Sequence, residues 1–150
     1  MSLAESSRLA LECALANPTA YQEIKETLEV IHGGVASASF TVNTEAANAI
    51  TVNVQLKDSN GANLAQVAAV TILVLADAAG AAFNSTNYTT IAAGTDGALV
   101  ETVADKVLMG ISESDGDLDV VLTVTGAATS YLAVVLPGGK LSVSGAITHS

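Results

Sequence analysis

Tryptophan is absent from this 150-residue chain, and Phe and Tyr together supply only five residues. A core built from it must be aliphatic, without the large aromatic anchors that dominate many interiors. Cysteine occurs once, at Cys13, so no intramolecular disulfide can close and a disulfide-stapled secreted fold is excluded. Set among Leu9, Leu11, Ala14 and Leu15, that thiol reads as a packing residue in preference to a reactive one. Basic residues number five against 15 acidic ones, a net charge of −10. A surface of that sign repels a phosphate backbone, which argues against nucleic acid as a direct partner. Long apolar runs are missing as well. The longest strongly apolar stretch, residues 67–76, is half the ~20 residues of a membrane-spanning helix, so no membrane partner is expected. Glu5 and Glu12 interrupt the start of the chain, where a secretory signal would need an unbroken apolar segment. The expectation is a soluble protein assembled inside a cell.

Apolar residues make up 50% of the chain, but 27 of them are alanine. Charged residues make up 13%, about half of the roughly 25% usual in soluble domains. Such a composition is far from that of a disordered chain, and its length allows one domain with a sizeable core.

The pattern changes at Gly33-Gly34. Before it, Tyr21, Ile24, Leu28 and Ile31 fall on one face at helical spacing. Asn17-Pro18 suits a helix start and His32-Gly33 a helix end, and an earlier helix over about residues 2–16 places Leu3, Leu11 and Leu15 together. After Gly34 the period becomes two. Ile50, Val52, Val54 and Leu56 alternate with polar residues, and Leu118, Val120, Leu122 and Val124 form another strand of period two. Residues 67–76 read as a strand buried on both faces. Further strands are expected around Phe40 and Val42, at 88–91, 99–111, 131–136 and 141–148. Turns such as Asp58-Ser59-Asn60-Gly61, Gly94-Thr95-Asp96-Gly97 and Pro137-Gly138-Gly139 separate them. The reading is a helical arm over residues 1–34 and a mainly β domain over 35–150, an antiparallel sandwich of seven or eight strands.

Signatures of catalysis and cofactor binding are missing. There is no phosphate-binding G-x-x-x-x-G-K-[ST], no dinucleotide G-x-G-x-x-G after a strand and no G-x-S-x-G nucleophile elbow. With one Cys and two separated histidines, His32 and His149, a zinc site has no natural ligand set. Either histidine is suited to capping carbonyls or to solvent. No catalytic, cofactor or metal residues are therefore assigned, and the chain reads as non-enzymatic. The two N-x-S/T sequons, at Asn84 and Asn87, read as ordinary loop.

One segment stands apart. Asp96, Glu101, Asp105, Glu113, Asp115, Asp117 and Asp119 fall within 24 residues, with Lys106 as the only base among them. Asp115, Asp117 and Asp119 open like a calcium loop, but Val120 stands where its glycine belongs and Gly126 where its bidentate glutamate belongs. A solvated acidic turn, a weak Ca²⁺ or Mg²⁺ site and an electrostatic docking edge are the three readings of this segment.

The stretches AITVNVQLKD (49–58), AGTDGAL (93–99), ISESDGDLDV (111–120) and YLAVVLPGGKL (131–141) together resemble a family of small structural proteins of tailed bacteriophages. The resemblance covers about two-thirds of the chain and leaves the N-terminal helical segment out. It implies an Ig-like sandwich acting as a virion component, foremost a capsid decoration (cement) protein. It would be assembled in the host cytoplasm on the major capsid protein or other virion proteins. Homo-oligomers, trimers among them, are common for such proteins. The alternatives it leaves open are a tail, baseplate or head-tail joining protein, or a displayed glycan- or receptor-binding module. For that last one Phe83 and Tyr88 are the loop aromatics available for stacking on a sugar.

Overall fold

In a computed structural model, residues 34–150 are described. The expected helical arm, with Cys13 and His32, lies outside the described residues. Residues Val35–Ser150 form a compact unit. Its strands are β1 (Ser37–Val42), β2 (Ala49–Lys57), β3 (Ala69–Leu75), β4 (Thr90–Ala93) and β5 (Ala98–Val103). They continue with β6 (Val107–Ile111), β7 (Asp117–Thr123), β8 (Ala128–Val135), β9 (Leu141–Val143) and β10 (Ile147–His149). All pairings between them are antiparallel. One sheet has four strands in the order β1-β2-β7-β4. The other has six, in the order β10-β8-β3-β6-β5, with β9 also paired to β8. The mainly β, sandwich-like reading of the sequence is what the described residues adopt.

The strands outnumber the seven or eight expected, for two local reasons. Residues 99–111, read as one strand, fold back on themselves at Asp105, whose φ is 58°. The Glu101 carboxylate accepts the Asp105 N–H at 2.8 Å, and the ladder slips register between Glu101 and Val103. Residues 141–148, also read as one strand, carry one extra residue opposite β8 between Val143 and Ile147, a β-bulge. Ser144 holds it there: its Oγ accepts the Leu132 N–H at 2.9 Å and donates to the Gly145 carbonyl at 2.8 Å. A third departure is the β1–β2 hairpin. Ala47 and Asn48 both take positive φ, 50° and 65°, between the reciprocally bonded Ala46 and Ala49. Alanine gives no advance sign of such a turn, which Asn-Gly pairs usually mark.

Alternation places the core. Ile50, Val52, Val54 and Leu56 of β2 join Leu118, Val120 and Leu122 of β7 in one apolar cluster. Val70, Ile72 and Val74 of β3, Leu108 of β6, Leu132 and Val134 of β8 and Ile147 of β10 join it from the six-stranded sheet. Each such side chain, once fully buried, contributes about 1.5–3 kcal/mol. Along one edge Ser142 links the sheets, since its Oγ accepts the Ala38 N–H at 3.1 Å and donates to the Ala38 carbonyl at 3.0 Å.

The outward faces of the two sheets differ. Over the four-stranded sheet stand Ser39, Thr41, Thr51, Asn53, Gln55 and Thr123, the polar halves of the alternating strands. The outward positions of the six-stranded sheet are almost all apolar. This corrects the reading of residues 67–76 as buried on both faces. The inward side of β3 is in the core, while on the outward side Ala69 is exposed, Thr71 and Leu73 are half-buried and only Leu75, at the strand's end, is buried.

Candidate functional site

The acidic segment divides in the fold. Glu101, Asp105 and Lys106 belong to the β5–β6 hairpin tip. Asp96, Asp115 and Asp117 gather at the opposite end of that hairpin, where the 94–97 loop lies against the start of β7. The single acidic edge suggested by the sequence is therefore two separate groups.

At the β7 end the three alternating aspartates have different surroundings. Asp115 is exposed in the turn, where its Oδ1 accepts the Asp117 N–H at 3.4 Å. Asp119, in contrast, is only 3% exposed although it faces outward from the sheet. Its carboxylate accepts from the Asn53 amide, from the Thr95 hydroxyl at 2.9 Å and from the Thr95 N–H at 3.3 Å. Asn53 in turn accepts from Asn43 at 3.0 Å, so a polar chain runs from the end of β1 across β2 and β7 to the 94–97 loop. The backbone closes the same contact, with Asp119 N–H on the Asp96 carbonyl at 2.9 Å and Gly94 N–H on the Asp119 carbonyl at 3.2 Å. Asp119 is thus a loop anchor whose oxygens are engaged by protein donors. Among the described residues no three acidic, His or Cys side chains are grouped to hold a metal ion.

Asp117 stands between them. Burial first, then the charges of Asp119, Asp96 and Asp115, push its carboxyl above the usual value of 3.8, against the pull of the Leu118 N–H. The native state therefore holds this proton more tightly than the unfolded chain. Ionised Asp117 opposes folding above its raised native value, and that opposition is absent below 3.8. Asp117→Asn is expected to raise the urea midpoint at neutral pH, with the gain disappearing below the ordinary carboxylate value. Equal midpoints at neutral pH would contradict this.

A second polar group is buried at the other end of the sandwich. The Tyr88 hydroxyl lies 2.5 Å from Ser130 Oγ, and its ring meets His149 edge-on at 5.9 Å. Burial raises the Tyr88 phenol pKa, the Ser130 hydrogen bond works against this, and the Asp105 charge adds to the rise. His149 is 1% exposed, so of its two expected settings the structure selects carbonyl capping over solvent. Its Nε2 lies 3.2 Å from the Leu122 carbonyl, an acceptor, and must carry the proton. Nδ1 is buried without a hydrogen-bond partner. A base-activated nucleophile needs its hydroxyl bonded to the imidazole. Here Ser130 is bonded to Tyr88, and His149 to a main-chain oxygen.

Of the two loop aromatics considered for sugar stacking, Tyr88 is a core residue and unavailable. Phe83 is 49% exposed. Asn84 of the first sequon is buried, with its side chain turned back on Thr86 through both polar atoms.

What sequence reasoning missed is the outward face of the six-stranded sheet. Val100 and Val103 of β5, Met109 and Ile111 of β6 and Leu141 of β9 are its exposed large apolar side chains, at 37–63%. The signal was the absence of alternation in residues 67–76 and 99–111, which reads equally as burial on both faces. No protein-family model matches the chain, and a search of curated proteins finds no significant relative.

Proposed function

We propose that this protein is a non-enzymatic structural component of a tailed-phage virion, a capsid decoration protein seated on the outer surface of the head lattice. In this reading the sandwich is Ig-like and the partners are the major capsid protein or other virion proteins. The observation that carries it is the distribution of charge over the surface. The outward face of the six-stranded sheet carries no charge on β3, β6, β8 or β9, and on the four-stranded sheet Lys57, Asp117 and Asp119 lie toward one end, so neighbours can cover most of both faces without desolvating ions, a costly step. The carboxylates of the acidic segment gather at the strand ends. An acidic protein is repelled by packaged DNA, which favours the outside of a head over its lumen. The resemblance of residues 49–58, 93–99, 111–120 and 131–141 to phage structural proteins supplies the family.

The test is to add the purified chain to heads that lack it. Saturable binding at a fixed ratio to the capsid subunit is the expected result, with matching density on the head exterior by electron cryomicroscopy. Density at the tail, baseplate or neck instead of the head would overturn the decoration reading.

A further inference from the structure

We propose that the outward face of the six-stranded sheet is an interface between two copies of this chain, paired face to face about a two-fold axis. The pairing does not depend on where in a virion the protein stands. The face is defined by register. Thr71, Met109 and Val100 lie side by side across β3, β6 and β5, and the next row is Leu73, Val107 and Val103. Phe83, bridged to Leu75, extends the apolar surface beyond the end of β3. No charged residue occupies an outward position on β3, β6, β8 or β9.

Three observations select a second copy as the occupant. The first is size. Exposures of 63% at Val100, 50% at Val103, 47% at Met109 and 43% at Ile111 lie on adjacent strands. With Leu141 and Phe83 they put six large, exposed apolar side chains on one face, on the order of the ~300–600 Å² of the largest patch on a typical monomer. Two such faces, with their half-buried surroundings, supply what a stable pair of ~1,200–2,000 Å² requires. The second is charge. Two chains of net charge −10 repel wherever their carboxylates approach, and this face lets them touch with the Asp96–Asp115–Asp117 group displaced to a strand end. The third is complementarity. A head-to-tail contact needs a second, different apolar surface, and among the described residues the other broad face, that of the four-stranded sheet, carries Thr41, Thr51, Asn53 and Gln55. The apolar face therefore matches itself, and sheets stacked this way sit about 10 Å apart.

Sedimentation velocity of the full chain over a range of concentrations tests this. The expected mass is that of two 15.0 kDa chains. Val100→Glu and Met109→Glu, each placing a charge among the most exposed apolar side chains of the face, should raise the dissociation constant at least about 30-fold. Both are exposed positions, so cooperative melting of the separated variants is expected to persist. Thr41→Glu, on the polar sheet, should leave the mass at two chains. A parent chain that sediments singly at every concentration overturns the proposal, whether or not it binds heads. So does a trimer, or a dimer that both glutamate variants leave intact. Because Val100 is the more exposed site, its variant decides the matter if Met109→Glu does not fold.

Discussion

Gly97→Ala is expected to lower the unfolding free energy by about 4 kcal/mol, a large part of the ~5–15 kcal/mol that holds a typical domain together. Gly97 closes the 94–97 loop at a φ of 77°. A side chain there incurs left-handed strain on the order of 1–3 kcal/mol. It also has no room. A Cβ would stand 2.6 Å from the Ile111 carbonyl oxygen and 2.8 Å from Leu118 Cβ. The first belongs to the end of β6 and the second to a fully buried core residue, so neither yields by a simple rotamer change. Overpacking of that kind adds about 1–3 kcal/mol. Gly61→Ala provides the control. Its φ is almost the same, 79°, but nothing lies within 4 Å of the added carbon. Its cost should be the same conformational strain alone, on the order of 1–3 kcal/mol. Urea denaturation followed by circular dichroism compares the two, and equal midpoints would show that the crowding at Gly97 relaxes freely.

The contrast between these glycines also marks how far the sequence can be read. That residues 58–61 and 94–97 turn is legible, because Gly, Asn and Asp in such clusters adopt the conformations a turn demands. Which turn is crowded against the core is a tertiary fact with no local signature. Strands follow the same division. Ile50 to Leu56 alternate because one side meets the core and the other faces outward with polar residues, Leu118 to Val124 keep the same period on the inward side, and β2 and β7 lie where the pattern puts them. Residues 99–111 lack that contrast, since outward Val100, Met109 and Ile111 are apolar too. The hairpin at Asp105 is hidden for a different reason: its turn, Ala104-Asp105-Lys106, holds no glycine, and Asp105 itself takes the positive φ.

The acidic segment shows the opposite limit. Asp115, Asp117 and Asp119 are equivalent by type and spacing, which is why a solvated turn, a cation site and a docking edge are hard to tell apart from sequence. They differ only through what the fold brings over them. Asn53 reaches Asp119 from β2, and Thr95 reaches it from a loop 24 residues away. Neither contact has a sequence signal. His149 is a parallel case: a residue next to the end of the chain is covered because β10 pairs with β8 and carries its ring inward.

Asp119→Ala is the second substitution expected to cost most, about 3 kcal/mol. The methyl group keeps the strand but accepts nothing, which leaves the Asn53 amide and the Thr95 N–H without their acceptor, while the Thr95 hydroxyl keeps the Asp96 carboxylate at 3.3 Å. Each buried donor left without a partner costs about 1–3 kcal/mol, reduced where water reaches it through the loosened loop. Gly94 makes the loop depend on this residue sterically as well. A Cβ on Gly94 would lie 2.6 Å from Asp119 Cβ, so the loop backbone rests directly on the anchor. Asp119→Asn separates the two contributions. It keeps the volume and one acceptor for Asn53, but turns an NH2 toward Thr95, whose hydroxyl can rotate to accept it while the Thr95 N–H loses its acceptor. Its expected loss is about half that of alanine. Hydrogen exchange provides the local readout. In Asp119→Ala the amides of Gly94 and Thr95 should exchange faster than those of β3, whose ladder the substitution does not touch. Uniform acceleration would mean that the carboxylate supports the whole sandwich and not the loop. Unchanged exchange and an unchanged midpoint would remove Asp119 as an anchor.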